Sequence, residues 1–288
     1  MEYINKTSFG KKLKAYRRTP GSLVLLLLVL LSAVITVGVL AFLILYILIK
    51  GVPNLNPGLF SWTYNSENVS LLPSLVNTVI MTLLSLAIAG PIGVFSAIYL
   101  VEYAKKGNRL VSVVRVTAET LSGIPSIVYG LFGMLFFVTT LQMGLSILSG
   151  GLTMAIMVLP LIMRTTEEAL KSVPETFREG SFGLGAGKLR TVFKIVLPSA
   201  VPGILAGVIL AIGRVVGETA ALMYTAGTVA EIPSSLMDSG RTLSVHMYTL
   251  SSEGLHVNEA YATAVVLLVI VILINLLSGF IAKRLAKS

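Results

Sequence analysis

The chain has no cysteine, so it can form no disulfide, hold no metal through thiolates and use no cysteine nucleophile. It is also poor in charge: Asp, Glu, Lys and Arg make up 12% of its 288 residues, about half the share usual in a soluble domain. Histidine occurs only at His246 and His256, without clustered carboxylates, a pattern that offers no metal or catalytic group. A nucleotide loop is missing too. The nearest approach, Gly183 to Leu189, has Phe182 where a P-loop needs its first glycine and Leu189 where it needs Ser or Thr. No Ser/His or paired-Asp constellation lies in the apolar runs, which excludes an intramembrane protease. The first apolar run, Leu23 to Ile49, is too long for a signal peptide's h-region and is followed by no small-residue cleavage pattern.

Hydrophobic residues make up 55% of the chain, in long uncharged runs. About 20 apolar residues carry a helix across roughly 30 Å of hydrocarbon, and Leu23–Ile49, Leu71–Val101 and Ala260–Ala282 each meet that length. Thr120–Met163 is uncharged over 44 residues, about 66 Å as one helix, which no single pass can use. Gln142, Gly144, Ser146 and Ser149-Gly150-Gly151 are turn formers near its centre, so it divides into spans at 113–140 and 147–169. Pro198–Leu222, interrupted by Arg214 and Glu218, completes an all-α polytopic membrane protein of about six transmembrane helices. The expected division is a basic N-terminal arm at 1–22, a first transmembrane helix at 23–49 and a core of five further helices at 71–283. Within the core lie a polar loop at 171–198 and another at 225–259.

Lys and Arg are distributed unevenly between alternate loops. The N-terminal arm holds six, the 102–115 loop four, the 164–196 region six and the C-terminus three, against Lys50 and Arg241 alone on the other side. Because positive residues are retained in the cytoplasm, both termini and the 171–198 loop are expected there. The net charge of +9 is then a consequence of topology and calls for no nucleic-acid partner.

The cytoplasmic loop runs Glu179-Gly180-Ser181, three residues, Gly185, nine residues, then Ile195-Val196-Leu197-Pro198. This spacing resembles the EAA motif of ATP-binding cassette (ABC) importer permeases, with Gly180-Ser181 replacing Ala-Ala. A short helix with small residues on one face can lie in the groove of a soluble partner; Gly185 would end it and Pro198 would begin the next span. Three further segments resemble the phosphate transport system permeases: Pro91 to Ala104, Gly123 to Gly133, and Gly213 to Ala220. Ala221 to Ala226 and Ser244 to Tyr248 are more similar to the PstA-type half than to the PstC-type half. The resemblance implies the MetI-like fold of type I importers in a prokaryotic plasma membrane. It also implies phosphate as cargo, a PstC-like second permease, a PstB-like ATPase dimer that binds ATP and magnesium, and a PstS-like extracytoplasmic binding protein. No cofactor is expected in the chain itself, which is a transporter subunit and not an enzyme. Importers of other oxyanions, sulfate or molybdate, and an ion-driven carrier are the alternatives.

Charges within the apolar runs complete the list of candidates. A charge at the midplane costs at least about 2.5–3.5 kcal/mol, so Arg214, with Glu218 four residues on and on the same helical face, is either a structural ion pair or a phosphate site. The resemblance places Arg164 on the phosphate pathway, while its position alone also suits a snorkelling boundary residue. Arg115 and Glu119, again four apart, read as a structural pair. Gly130, Gly133, Gly203, Gly207 and Gly217 read as points of close helix approach.

Overall fold

The computed structural model describes residues 20–105 and 107–285. Six of the nineteen inward-counted cations, Lys6 to Arg18 in the basic arm, lie outside the described residues, as do Lys106 and Lys287. The chain divides into two compact units, Met1–Lys50 and Gly51–Ser288. The first is dominated by helix α1 (Pro20–Gly51), whose 32 residues reach about 48 Å, more than one bilayer core.

In the second unit the long elements are α2 (Leu72–Ile98, continued by a wider π-turn to Tyr103), α5 (Ile147–Ser172), a helix running from Lys188 to Val216 and α11 (Val257–Leu285). The Lys188–Val216 helix comprises α7 (Lys188–Thr191), a π-turn at Val192–Val196 and α8 (Leu197–Val216). Shorter pieces are α3 (Arg109–Ser122), α4 (Ser126–Gly133, continued to Thr140), α6 (Glu175–Gly183), α9 (Ala220–Thr225) and α10 (Leu243–Glu253). The described residues contain no strand, and five helices are long and apolar enough to span a membrane, or six with the bent pair α3–α4 counted as one.

That pair departs from the expected straight span at 113–140. Its two halves meet at 102°. Gly123 and Ile124 close tight turns onto Thr120 and Leu121, and Pro125 cannot donate the N–H that would continue the helix. The Tyr129 hydroxyl donates to the Leu121 carbonyl at 2.8 Å and holds the corner. The chain still crosses here, because α2 and α5 run parallel. Gly150 faces Met81 and Gly93 faces Ile162, an advance of twelve residues on both helices, so the segment between them must return to the end where both begin. The turn before α5 forms where expected, with Gln142 and Gly144 at positive φ and Ser146 accepting from the Ser149 N–H as N-cap. Ser149-Gly150-Gly151, turn formers by residue type, lie inside the helix and are buried.

Helix α8 is antiparallel to α5. A side chain at Gly203 would meet Ala169 at 2.7 Å, and one at Gly207 would run into Thr165. Gly130 likewise admits the Ala221 backbone and Gly133 the side chains of Thr153 and Thr225. Gly217 is different: it ends α8 as C-cap and admits no neighbouring helix. Pro198, expected to open the span, lies ten residues inside it; the π-turn just before it absorbs the lost N–H and the ring's clash with the preceding turn.

Replacing Gly207 by Val should cost about 1–3 kcal/mol by overpacking, read as a lowered thermal midpoint in detergent. Gly213→Ala, where a methyl meets nothing within 4 Å, should leave the midpoint unchanged or raise it. Equal effects at the two sites would refute the packing assignment.

Candidate functional site

Three helices place charged residues around one cavity of about 540 Å³. Helix α3 supplies Arg115, Glu119 and Ser122, α5 supplies Pro160, Arg164, Thr165, Glu167, Glu168 and Lys171, and α8 supplies Arg214. The antiparallel register of α5 and α8 explains why Arg214 joins residues so distant in sequence. Seven residues beyond Gly207, Arg214 falls level with Val158 to Pro160, roughly 6–9 Å along the axis from Arg164.

Most of these charges are paired. Glu167, buried in the wall, accepts from Lys171 Nζ at 2.7 Å and from Arg115 Nε at 3.2 Å, and Arg164 Nε reaches Glu168 at 3.2 Å across the exposed face of α5. The expected Arg115–Glu119 pair does not form, because α3 turns Arg115 towards Glu167 on a neighbouring helix. The expected Arg214–Glu218 pair is absent as well. It required one continuous helix, but α8 ends at Val216, and Glu218 Oε1 accepts the Ala221 N–H at 3.0 Å at the start of α9. The Glu218 carbonyl accepts from Ser244 Oγ, so the residue fixes the break between helices. Arg214 therefore lines the cavity with no carboxylate within ion-pair distance among the described residues. Such a guanidinium keeps its donors for an anion.

The motif loop forms a second site. Helix α6 carries Glu179 and Gly180 exposed and Ser181 half-buried, and ends at Gly183, with Gly185 left-handed at φ 80°. Gly180, Ser181, Gly185 and Ile195 line one open groove with Phe177, Leu184 and Arg190, and Leu184 is 91% exposed. Ser181 and Thr191 share a hydroxyl hydrogen bond at 2.8 Å that ties α6 to α7. Leu197 packs against the buried cluster around Val196 and Ala200, and Pro198 is exposed.

Beneath the groove lies an interaction that sequence reasoning missed. Arg178 Nη2 pairs with Glu102 at 2.7 Å, Nη1 reaches Glu175 at 3.3 Å, and the guanidinium also donates to the carbonyls of Leu170 and Val173. Both Arg178 and Glu102 are almost completely buried. The hydrogen bond to Glu102 raises the Arg178 pKa above its already high ordinary value, so the guanidinium stays charged. It joins α6 to the end of α2 across 76 residues of sequence, a separation that no local pattern reveals.

Residues 89–288 match the family described as binding-protein-dependent transport system inner membrane component. The chain belongs to that family. It is 33% identical over 277 residues to the probable ABC transporter permease protein YqgI of Bacillus subtilis, covering 89% of this chain and 93% of that one. With the phosphate transport system permease protein PstA 1 of Mycobacterium tuberculosis it shares 32% over 236 residues, 77% of each chain. The PstA homolog of Mycoplasma pneumoniae is 36% identical over 217 residues, 72% of this chain but only 33% of that longer protein. Among solved structures, a chain from the crystal structure of a bacterial alginate ABC transporter in complex with its alginate pentasaccharide-bound periplasmic protein aligns over 95% of this chain and 98% of its own with TM-score 0.69 at 14% identity. A chain of the methionine transporter MetNI in an inward-facing conformation aligns over 75% and 94% with TM-score 0.56 at 20% identity. At these identities the structures establish the fold alone, an all-α fold shared with these transporter chains. The expected resemblance to phosphate transport system permeases is met by the named relatives.

Glu102→Gln should destabilise the protein by about 3 kcal/mol, the lower end for breaking a buried pair, since these groups lie at an end of the bundle. Chemical denaturation in detergent would measure it, and a change under about 0.5 kcal/mol would mean that the pair is solvated.

Proposed function

We propose that the chain forms half of the translocation pathway of an ATP-driven importer for inorganic phosphate, with both termini in the cytoplasm. What carries this reading is Arg214, a guanidinium with no carboxylate partner, facing a cavity framed by three helices. An oxyanion passing there meets a planar fork of donors matched to its oxygens. Arg164 is the second contact on the path, held loosely by an exposed carboxylate, and Glu218 acts by fixing the chain break beside Arg214. Weak, partly neutralised sites suit a pathway, because cargo must leave as readily as it enters.

ATP and magnesium are handled by a separate ATPase dimer that docks in the groove at Gly180, Ser181 and Gly185, within the 171–198 loop. The Glu102–Arg178 pair then carries a push on α6 directly into α2. A second permease half completes the pathway, and an extracytoplasmic binding protein captures phosphate and delivers it. The PstA-named relatives favour phosphate over sulfate or molybdate, and the exposed motif groove favours an ATPase partner over an ion-driven carrier.

In vesicles containing the whole transporter, Arg214→Gln should lower ATP-dependent phosphate uptake by at least about tenfold, the worth of one charge-assisted hydrogen bond. Normal uptake would remove Arg214 from the path, and equal uptake of sulfate would remove phosphate as the cargo. The absence of cysteine makes the topology directly measurable. A membrane-impermeant maleimide applied to intact cells should label Ser252→Cys and spare Asn108→Cys; the reverse pattern would invert the orientation.

A further inference from the structure

The end of the bundle opposite α6 holds a second arginine without a carboxylate. Asn77 on the first turns of α2 donates to the Arg241 carbonyl at 3.2 Å, whereas Glu102 at the far end of α2 holds Arg178. The two arginines are thus separated by roughly 37 Å of helix. Arg241 is 5% exposed, and no acidic group among the described residues reaches it. Its Nε and Nη2 are buried with no hydrogen-bond partner. These two donors occupy one edge of the guanidinium, the edge that grips two oxygens of an oxyanion side by side.

The surroundings share this unmet capacity. Seven buried side-chain polar atoms lack a partner among the described residues, and six of them belong to this region: Ser74 Oγ, Asn77 Oδ1, the two Arg241 nitrogens and both ring nitrogens of His246. Elsewhere among the described residues only Thr166 Oγ1 is left in this state. The Arg241 guanidinium lies 4.7 Å from the centre of the Tyr64 ring, and His246 meets the same ring edge-on at 6.2 Å. Tyr64 is carried on a stiff loop in which Asn65 and Asn68 bond reciprocally and Asn68 also donates to the Thr63 carbonyl. The Val69 backbone approaches His246 without closing a hydrogen bond. Burial first, and then the charge of Arg241, hold the His246 pKa down to about 3. The imidazole is therefore neutral, with one nitrogen donating and the other accepting.

A cation–π contact offsets part of the cost of burying Arg241. Water would satisfy its donors but not balance its charge. We infer that Arg241, with Ser74, Asn77 and His246, forms a binding site for a proton-bearing tetrahedral oxyanion, distinct from the Arg214 cavity. The guanidinium edge and the Ser74 hydroxyl donate to its oxygens. Asn77 Oδ1 and the accepting nitrogen of His246 need donors in return, which the two P–OH groups of dihydrogen phosphate supply and sulfate lacks. The ligand follows from this donor and acceptor set and deepens the phosphate reading proposed above.

The test is equilibrium binding of radiolabelled phosphate to the assembled permease–ATPase complex in lipid nanodiscs, without the extracytoplasmic binding protein and in an Arg214→Gln background. One phosphate should remain bound per copy of this chain. Sulfate should compete at least about tenfold less well, and Arg241→Lys, which keeps the charge but loses the fork, should weaken binding by about tenfold or more. Phosphate should also raise the thermal midpoint of the Arg214→Gln complex and leave that of its Arg241→Lys derivative unchanged, a comparison requiring only folded protein. Binding unaffected by Arg241→Lys, absence of phosphate binding, or equal competition by sulfate would each overturn the inference. Uptake reports the cargo reading separately. Phosphate bound at Arg241 by a transporter that does not import it would sink only the cargo assignment, and phosphate import with normal binding to Arg241→Lys would sink only this site.

Discussion

Helix α8 lies against α5 because residues 203 and 207 carry no side chain where Ala169 and Thr165 press in, and much of the unit follows from that contact. The antiparallel register it imposes brings Arg214 level with Pro160, a turn or two from Arg164, and so makes one cavity from residues fifty positions apart. A parallel contact of α2 with α5, through Gly93 and Gly150, sets the remaining direction. Together they require the chain between α2 and α5 to recross, although Pro125 has broken that crossing into two arms. Close approach at small residues is the usual means of helix association where lipid competes equally well for large apolar side chains.

Charge in a low-dielectric interior is costly unless matched, and among the described residues the buried carboxylates are matched while two arginines are left without one. Glu167 is held by two cations, and Arg178 by two carboxylates and two backbone carbonyls. Among the described residues Arg214, level with the middle of α5, and Arg241, near the end where α2 begins, have no such partners. An arginine already neutralised by protein carboxylates offers little to a passing anion, whereas an open one offers its whole fork. The same physics thus separates residues that hold the fold from residues available to a ligand.

The legibility of the sequence followed the range of the interactions involved. Ile147 as the start of α5, the turn at Gln142 and Gly144, and the end of α6 before Gly185 were all readable, because each depends on local backbone preference or on a length set by the bilayer. Errors arose where a local rule met a distant partner. Spacing of four made Arg115–Glu119 and Arg214–Glu218 reasonable pairs, but Glu167 on another helix captured Arg115, and a chain break at Gly217 took Glu218 off the helix. Pro198 read as a helix start, since nothing in sequence announces the π-turn that lets a helix continue through it. Arg241 and His246 were visible as residues and silent as a site, because their common neighbour, Tyr64, is nearly two hundred positions away.

The amino-acid sequence by itself determined that the chain is an all-α membrane protein, which of its segments are long and apolar, and which loop bears the family motif. Those properties rest on hydropathy and on short-range spacing, each decided within a few turns of chain. Only the tertiary structure decided which charges pair, which way the broken span turns and which two arginines stay open. Each of those depends on side chains brought within about 3 Å by helix packing, a distance range at which sequence separation has no influence.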